Sequence, residues 1–263
     1  MAGCSWETLS RPAPLRAAEA LGGQDCCAVI VAGGSGERFG NPGGKQLYPI
    51  CGLPMVVWSI AAFDAAPSVA CMVLVCPAAD EQHFREAVSE LELGTPLLFA
   101  EAGSTRQLSC AAGLAAAPDG LPLIAVHDGA RPLIRTRDIE RAIAALRDEP
   151  DLAGAVCGHP AIDTLKEVDG GLVTATPDRS RFWTVQTPQV FRKEQLAAAY
   201  ERAAEEGFAG TDDASLVEHA GGAVRMVECP RDNLKVTVPE DVAYVEAILE
   251  GRIVREALPE EAE

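Results

Sequence analysis

Residues 27–40 of this chain read Cys-Ala-Val-Ile-Val-Ala-Gly-Gly-Ser-Gly-Glu-Arg-Phe-Gly, and a Lys-Gln pair follows at Lys45-Gln46. An apolar, β-branched run that stops abruptly at small residues is typical of a buried strand entering a tight loop. The glycines Gly33, Gly34 and Gly36 let backbone N–H groups approach an anion, because no Cβ stands in the way. Arg38 and Lys45 add positive charge beside this loop. The pattern favours binding of a triphosphate.

Two better-known glycine motifs fit this stretch poorly. A dinucleotide-binding fingerprint that includes Gly34 and Gly36 needs a third glycine at position 39, where Phe39 stands. A P-loop around Lys45 needs a serine or threonine directly after the lysine, and Gln46 occupies that position. A glycine-rich turn without a ligand stays open as the alternative, because glycine loops are not specific to ligand sites.

Downstream of this loop, short apolar runs alternate with helix-like segments. Strands are predicted at 71–76, 96–100, 123–127 and 223–227. Helices are predicted at 55–66, 79–91, 105–117, 137–147, 193–206 and 213–219, and from a Thr237/Glu240 capping box to about Glu250. This alternation predicts an α/β fold with one doubly wound, mostly parallel sheet covered by helices on both faces.

The alternation breaks between Gly154 and Thr187, where two short extended runs, 161–168 and 172–176, flank Asp169-Gly170-Gly171. We predict a hairpin arm over about 159–187, which either packs on a second subunit or forms a local flap. The predicted organisation is a flexible N-terminal extension at 1–24, a single domain at 25–252 and an acidic tail at 253–263.

Composition excludes several classes of protein. The net charge of −17 argues against a nucleic-acid or anionic-membrane surface, and no apolar run approaches the ~18 residues that span a bilayer. The nine cysteines include no Cys-x-x-Cys pair, and four scattered histidines form no ligand cluster. A cytoplasmic protein without zinc or disulfides fits best.

Polar residues follow four of the predicted strands, at the sheet edge where open α/β sheets bind ligands. These patches are the opening glycine loop, Ala102 to Arg106 with Ser109 beyond it, His127 to Pro132, and Arg231 to Lys235. Asp128 directly after an apolar strand suits Mg²⁺, which takes one or two carboxylates plus phosphate oxygens. A plain turn aspartate at 128, and a surface ion pair of Asp232 with Lys235, stay open as alternatives.

Several of these motifs together resemble the 2-C-methyl-D-erythritol 4-phosphate cytidylyltransferase family. The opening loop is similar to the family's signature loop, and His127-Asp128-Gly129-Ala130-Arg131-Pro132 to its His-Asp-Ala-Ala-Arg-Pro segment. The other matching segments, in the same order along the chain, are Gly103-x-x-Arg106-x-x-Ser109, Asp163 to Lys166, Trp183 to Gln189, and Asp232 to Thr237. Ser104 and Gly129 depart from the family pattern.

The resemblance implies a Rossmann-like nucleotidyltransferase that transfers CMP from CTP to 2-C-methyl-D-erythritol 4-phosphate and releases pyrophosphate. It implies homodimerisation through the arm and a divalent cation, Mg²⁺, as cofactor. The catalytic groups it implies are Arg38, Lys45 and Lys235, and the metal ligands are Asp128 and Asp232. The CTP-binding residues it implies are Ala32, Gly33, Gly34, Gly36, Gly103, Arg106 and Ser109. The substrate-binding residues it implies are Arg131, Thr164, Arg179 and Thr187, of which Thr164 and Arg179 come from the partner's arm.

Two other functions stay open at the level of sequence. A ribitol-5-phosphate cytidylyltransferase would share fold, nucleotide and reaction but use another polyol phosphate. A non-catalytic nucleotide-binding module would use the same fold for sensing, because fold does not fix function.

Overall fold

A computed structural model describes residues 23–34, 39 and 44–257, with side chains through residue 253. Gly36, Arg38, the first 22 residues and the last six lie outside the described residues. The strands are β1 Cys26–Val31, β2 Pro49–Ile50, β3 Leu53–Pro54, β4 Val69–Cys76, β5 Leu97–Glu101, β6 Leu123–Asp128, β7 Gly154–Pro160, β8 Glu167–Asp169, β9 Leu172–Ala175, β10 Trp183–Arg192 and β11 Val224–Glu228. The helices are α1 Met55–Asp64, α2 Glu81–Val88, α3 Arg106–Ala116, α4 Thr136–Asp148, α5 Lys193–Glu206, α6 Asp213–His219 and α7 Asp241–Ala257.

Seven strands form the central sheet, in the order β11-β7-β10-β6-β1-β4-β5. β1 lies in its interior and runs parallel to both neighbours, with Val29 opposite Val73 of β4 and Val126 of β6. All six residues of β1 are buried. Its unbroken apolar sequence is therefore the signature of a strand covered on both faces.

Helices cover both faces of the sheet. On one face α1 and α4 contribute Ile60 and Ile139 to a buried cluster, and on the other α3 and α5 contribute Cys110 and Leu196. The predicted doubly wound, mostly parallel α/β fold is confirmed. None of the described helices is both long enough and apolar enough to cross a bilayer.

Two strands of the sheet, β7 and β10, were not predicted. β10 runs antiparallel to both of its neighbours, β6 and β7. It contains Pro188, and the pairing register with β7 shifts between Val185 and Gln189, so the proline sits where the ladder is interrupted. A proline and several polar side chains mask a strand in the sequence, because proline is rare in central strands.

The hairpin of the predicted arm is present and shorter than predicted. β8 and β9 form a two-stranded sheet separate from the central one, joined through Gly170 (φ 54°) and Gly171 (φ 85°). Positive φ at both central residues is the geometry that glycines favour in tight hairpins.

The cap of the last helix differs from the prediction. Asp241, and not Glu240, accepts hydrogen bonds from the backbone N–H groups of Thr237 and Val238 and from the Thr237 hydroxyl. The shorter aspartate reaches the preceding turn directly. The helix also runs to Ala257, beyond the predicted domain boundary at residue 252.

Candidate active site

The loops that follow β1 and β6 meet at one edge of the sheet. The backbone N–H of Gly129 donates to Val31 O at 3.0 Å, and that of Ala32 donates to Val75 O at 2.7 Å. Ala102, after β5, donates likewise to Cys76 O at 2.9 Å. Parallel pairing thus brings three of the predicted patches to the same edge, as the topology requires.

The glycines near this edge have different environments. A Cβ on Gly33 would lie 2.4 Å from the Ala102 Cβ, and one on Gly103 would lie 2.4 Å from the Leu108 Cβ. Gly34 is exposed, and no atom of the described residues lies within 4 Å of the corresponding Cβ position. Gly33 and Gly103 are therefore required for close packing, whereas the space beside Gly34 is open to a ligand.

Ser109 supports the Gly103 loop from behind. Its hydroxyl is buried and lies 2.8 Å from Thr105 O and 3.3 Å from Gly103 O, as a donor to these carbonyls. Thr105 caps α3 by accepting from Leu108 N at 3.1 Å. Ser109 thus fixes the turn that opens α3 and orients Arg106, the first residue of that helix.

Asp128, the last residue of β6, lies between two cations. Arg106 Nε donates to its Oδ1 at 3.0 Å, and Lys235 Nζ donates to its Oδ2 at 2.7 Å. Burial acts to raise the pKa of Asp128, but the charges of Arg106 and Lys235 outweigh it and hold that pKa well below its usual range. The carboxylate is therefore ionised at any physiological pH.

Arg106 is shared between two carboxylates. Its Nη1 donates to Asp213 Oδ2 at 2.8 Å, and the Asp213 side chain is only 1% exposed. Tyr200 donates its hydroxyl to the other oxygen of Asp213. In the sequence, Asp213 is only the first residue of the predicted helix at 213–219, since nothing in its local pattern indicates a partner 107 positions away.

A closed set of hydrogen bonds fixes the loop that carries Asp128. Thr187 Oγ1 accepts from the backbone N–H of Asp128 at 3.1 Å and lies 3.0 Å from His127 Nδ1. His127 Nε2 lies 3.3 Å from Arg131 O. Because the Arg131 carbonyl can only accept, Nε2 of the neutral ring carries the proton and donates to it, and the threonine hydroxyl donates to the unprotonated Nδ1. Burial lowers the pKa of His127 to about 3, so the ring is neutral.

Thr187 was predicted to bind substrate, and the structure places its side chain elsewhere. The residue is 3% exposed, and its hydroxyl already accepts from the Asp128 backbone N–H and donates to His127. It orients the loop and does not present its side chain to the crevice.

Arg131 joins this loop to the segment after β11. Its Nη1 donates to Asn233 O at 2.8 Å, and Asn233 Nδ2 in turn donates to Thr187 O at 2.9 Å. Burial lowers the pKa of Arg131, although the charge of Asp128 acts in the opposite direction. Its Nε is buried without a hydrogen-bond partner among the described residues.

Lys45 joins the opening loop to the same segment. Its Nζ donates to Val236 O at 3.0 Å, while the backbone N–H of Val236 donates to Ala130 O at 2.8 Å. The predicted cations Lys45, Arg131 and Lys235 are thereby brought to one crevice by contacts with residues 233–236.

Asp232 belongs to a different network. Its Oδ2 accepts from Arg135 and, at 3.0 Å, from Arg252 of α7, and its Oδ1 is buried without a partner among the described residues. Two arginines already neutralise this carboxylate, and none of its described contacts is shared with Asp128. The residue anchors α7, and its predicted role as a metal ligand stays a prediction.

Asp128 also has a cationic donor at each of its oxygens, and it differs from Asp232 in lying at the end of β6, at the edge of the sheet where the loops meet. It is ionised and partly accessible (11% exposed side chain), and it stands at the strand end beside the cations Arg106 and Lys235. Within the described ranges, no group of three or more His, Cys, Asp or Glu side chains comes together. Mg²⁺ characteristically needs only one or two carboxylates when phosphate oxygens and water complete its shell.

The predicted substrate residues of the arm lie apart from the crevice. Thr164 and Arg179 are exposed, and Arg179 Nη1 donates to Ile162 O within the arm. None of the hydrogen bonds described for this chain connects either residue with Asp128 or Lys235.

A doubly wound sheet whose strand ends gather a glycine loop, an ionised aspartate and several cations defines a nucleotidyltransferase. The family model for IspD, 2-C-methyl-D-erythritol 4-phosphate cytidylyltransferase, matches residues 26–251. Among proteins bearing that name, one from Synechococcus elongatus is 40% identical over 225 residues, covering 85% of this chain and 96% of the relative. One from Geotalea uraniireducens is 40% identical over 227 residues, covering 85% of this chain and 96% of the relative. The chain belongs to the 2-C-methyl-D-erythritol 4-phosphate cytidylyltransferase family.

Solved structures agree with this assignment. The 4-diphosphocytidyl-2C-methyl-D-erythritol synthase from Anaerococcus prevotii superposes with a TM-score of 0.77 at 26% identity, covering 87% of this chain and 100% of that one. The 2-C-methyl-D-erythritol 4-phosphate cytidylyltransferase from Thermus thermophilus superposes with a TM-score of 0.67 at 30% identity, covering 84% of this chain and 98% of that one. The chain is therefore an enzyme of the cytidylyltransferase class.

Proposed function

We propose that this enzyme transfers CMP from CTP to 2-C-methyl-D-erythritol 4-phosphate, giving 4-diphosphocytidyl-2-C-methyl-D-erythritol and pyrophosphate for isoprenoid precursor synthesis. The observation that carries this proposal is the ionised Asp128 held between Arg106 and Lys235 at the end of β6. An anion flanked by cations at a strand end suits a metal-bound triphosphate, and family membership supplies the chemical class of the reaction.

The transfer is a displacement at the α-phosphorus of CTP. A phosphate oxygen of the polyol phosphate forms the new P–O bond, and the bond to the bridging oxygen breaks so that pyrophosphate leaves with the electron pair. Such reactions depend on positioning and charge stabilisation more than on a base. Lys45 and Lys235 stabilise the charge that develops on the phosphates, and Arg38 assists them. The buried, neutral His127 has no role as a base.

Nucleotide binding falls to the loops after β1 and β5. The backbone of Ala32, Gly33 and Gly34 faces the phosphates, and the open space beside Gly34 admits them. Gly103 and Ser109 shape the wall that receives the cytosine and ribose, and Arg106 contacts the nucleotide from the start of α3.

Asp128 would hold a Mg²⁺ ion, which would neutralise phosphate charge and keep the triphosphate in one geometry. Arg106 and Lys235 keep the carboxylate ionised and pointed at the crevice. Asp232 stays with its arginines and serves to fix the 232–237 segment.

The polyol phosphate binds beside Arg131, and the arm of a second subunit closes the pocket. The arm exposes a set of large apolar side chains that a single chain leaves uncovered: Ile162, Val168, Leu172, Val173, Phe182 and Val185. A homodimer would bury them and bring Thr164 and Arg179 of one subunit to the site of the other. We place the enzyme in the cytoplasm, where its substrates would be made.

The reaction is tested by pyrophosphate release with CTP and Mg²⁺, offering 2-C-methyl-D-erythritol 4-phosphate or ribitol 5-phosphate. Wild type, Lys45→Ala and the surface control Arg202→Ala are compared. Release with the methylerythritol substrate alone, lost in Lys45→Ala and kept in the control, is the expected result. Release with ribitol 5-phosphate alone would show that the enzyme is a ribitol-5-phosphate cytidylyltransferase. CTP binding without pyrophosphate release from either substrate would show that the protein is a non-catalytic nucleotide-binding module.

A further inference from the structure

Asp213 is a buried carboxylate to which the proposed mechanism assigns no role. It is the first residue of α6, and its side chain is 1% exposed. Each of its oxygens has a strong partner: Oδ2 accepts from Arg106 Nη1 at 2.8 Å, and Oδ1 accepts from the Tyr200 hydroxyl. An ionised group at this depth is retained only when it is paired and hydrogen-bonded.

The position of Asp213 is itself fixed by β10. Gln189 donates from Nε2 to Asp212 Oδ2 at 2.7 Å and accepts from the backbone N–H of Ala214 at 3.1 Å. The same strand carries Thr187, which holds the backbone of Asp128. One strand therefore sets the positions of both carboxylates that share Arg106.

This sharing determines how Arg106 meets Asp128. An arginine beside a single carboxylate commonly forms two parallel hydrogen bonds to both of its oxygens. Here Nε donates to Asp128 Oδ1 while Nη1, on the other side of the guanidinium, is held by Asp213, and none of the described hydrogen bonds runs from Nη2 to Asp128. Asp128 Oδ2 is thereby left to Lys235.

We propose that Asp213 is a positioning residue for the nucleotide site: it holds the Arg106 guanidinium away from a two-point grip on Asp128. Without the Asp213 charge, the Arg106 guanidinium turns so that Nε and Nη2 together hold both oxygens of Asp128. It then displaces Lys235 from Oδ2 and withdraws from the nucleotide. Asp213 acts only through Arg106 and touches no substrate. This inference rests on the proposed function, because it takes CTP as the ligand of the crevice.

The test is the variant Asp213→Asn, which keeps size and a hydrogen-bonding group but removes the charge. The dissociation constant of CTP is measured by calorimetry with Mg²⁺ and without polyol phosphate, beside KM and kcat. We expect the dissociation constant and KM for CTP to rise on the order of tenfold, the size typical of groups that orient a binding residue. KM for the polyol phosphate stays unchanged. Asp213→Glu, which restores the charge, recovers CTP affinity.

Two controls separate positioning from folding. Glu206→Gln removes another carboxylate near α6, which contacts Arg202 and His219 and is not among the partners of Arg106, and CTP affinity stays within about twofold. In the Arg106→Gln background, Asp213→Asn has no further effect on CTP affinity, because the residue it acts through is gone.

Three results would overturn the inference. These are unchanged CTP affinity in Asp213→Asn, an equal loss in Glu206→Gln, or a full additional loss in the Arg106→Gln background. Tight CTP binding by wild type without pyrophosphate release would instead refute the proposed reaction, and the calorimetric comparison would still decide the role of Asp213. A wild type that does not bind CTP would refute both.

Discussion

Lys235 and Asp128 form an ion pair, with 2.7 Å between Nζ and Oδ2, that joins residues 107 positions apart in the sequence. The pair fastens the segment after β11 onto the end of β6. Its lysine side chain remains 38% exposed, whereas the aspartate is 11% exposed. A half-exposed ammonium held by a nearly buried carboxylate is well placed to meet an incoming phosphate.

Replacing Lys235 with glutamine is expected to reduce kcat by about 10²–10³-fold, the loss typical of removing one group that stabilises developing charge. The glutamine retains the length of the side chain but not its charge. Pyrophosphate release under saturating substrates measures the effect, and thermal unfolding monitors the fold.

Lys235→Arg is the matched control for charge. It retains the cation but replaces a compact ammonium with a planar guanidinium, so we expect activity between those of wild type and the glutamine variant. Wild-type turnover in Lys235→Gln would show that this lysine serves only to pair with Asp128.

Substituting Thr187 with valine tests whether this residue orients the loop or binds substrate. Valine preserves the shape and leaves the Asp128 N–H and His127 Nδ1 without their partner, at a cost of about 1–3 kcal/mol in the free energy of unfolding. We expect kcat to fall while KM for the polyol phosphate stays constant. Thr187→Ser restores the hydroxyl and recovers kcat. A rise in KM alone would return Thr187 to the substrate pocket.

Thr187 and Asp213 show where prediction from the sequence ends. The strand β1 and the helix α5, which ends at Gly207 (φ 65°), were readable because their apolar pattern and end signals are local. The meeting of the strand ends was also predictable, since it follows from topology. The hydrogen-bond partners of each side chain were not predictable. Asp128, Asp232 and Asp213 look alike in the sequence and differ in which distant arginines and lysines the fold brings to them.

β10 was missed for a related reason. Its pairing with β6 and β7 compensates for Pro188 and for polar residues such as Gln189, which contacts α6 from within the sheet. These polar side chains have functions inside the fold that no periodicity reveals. Local propensity is a weak predictor wherever tertiary contacts override it.

The neutral His127 makes the stability of the protein depend on pH in a defined window. Burial lowers its pKa to about 3 in the folded state, whereas the unfolded chain protonates a histidine at about 6.5. Between these values the unfolded state binds more protons, so stability falls as the pH falls from about 6.5 towards 3. In this window His127 contributes a slope of up to about 1.4 kcal/mol per pH unit to the free energy of unfolding.

The variant His127→Asn, which does not titrate, is expected to show a shallower dependence of the free energy of unfolding on pH between about pH 4 and 6. Urea unfolding at several pH values measures the slope. His83→Asn is the control, since the His83 side chain is 64% exposed, and it retains the wild-type slope. Identical slopes in wild type and His127→Asn would show that the buried ring does not resist protonation.

The proposed homodimer predicts that a charge among the exposed apolar side chains of the arm separates its subunits. Leu172, Val173 and Val168 are 75%, 60% and 57% exposed in a single chain. Burying such side chains at an interface is favourable and burying an unpaired carboxylate is costly, so Leu172→Asp is expected to shift the protein from dimer to monomer. Sedimentation velocity measures the change. Tyr244→Asp, at a 67% exposed position on α7, is the control and remains dimeric.

Mixed subunits then test whether the arm acts on its partner's site. A subunit with Arg179→Ala lacks the arginine of the arm but retains Lys45. A subunit with Lys45→Ala lacks the lysine of the crevice but retains Arg179. In a mixed dimer, the arm of the Lys45→Ala subunit completes the site of the other. Because half of the dimers are mixed and each has one intact site, an equal mixture regains about a quarter of wild-type activity after exchange. An arm that served its own subunit would give no recovery, since every site would then lack one of the two residues.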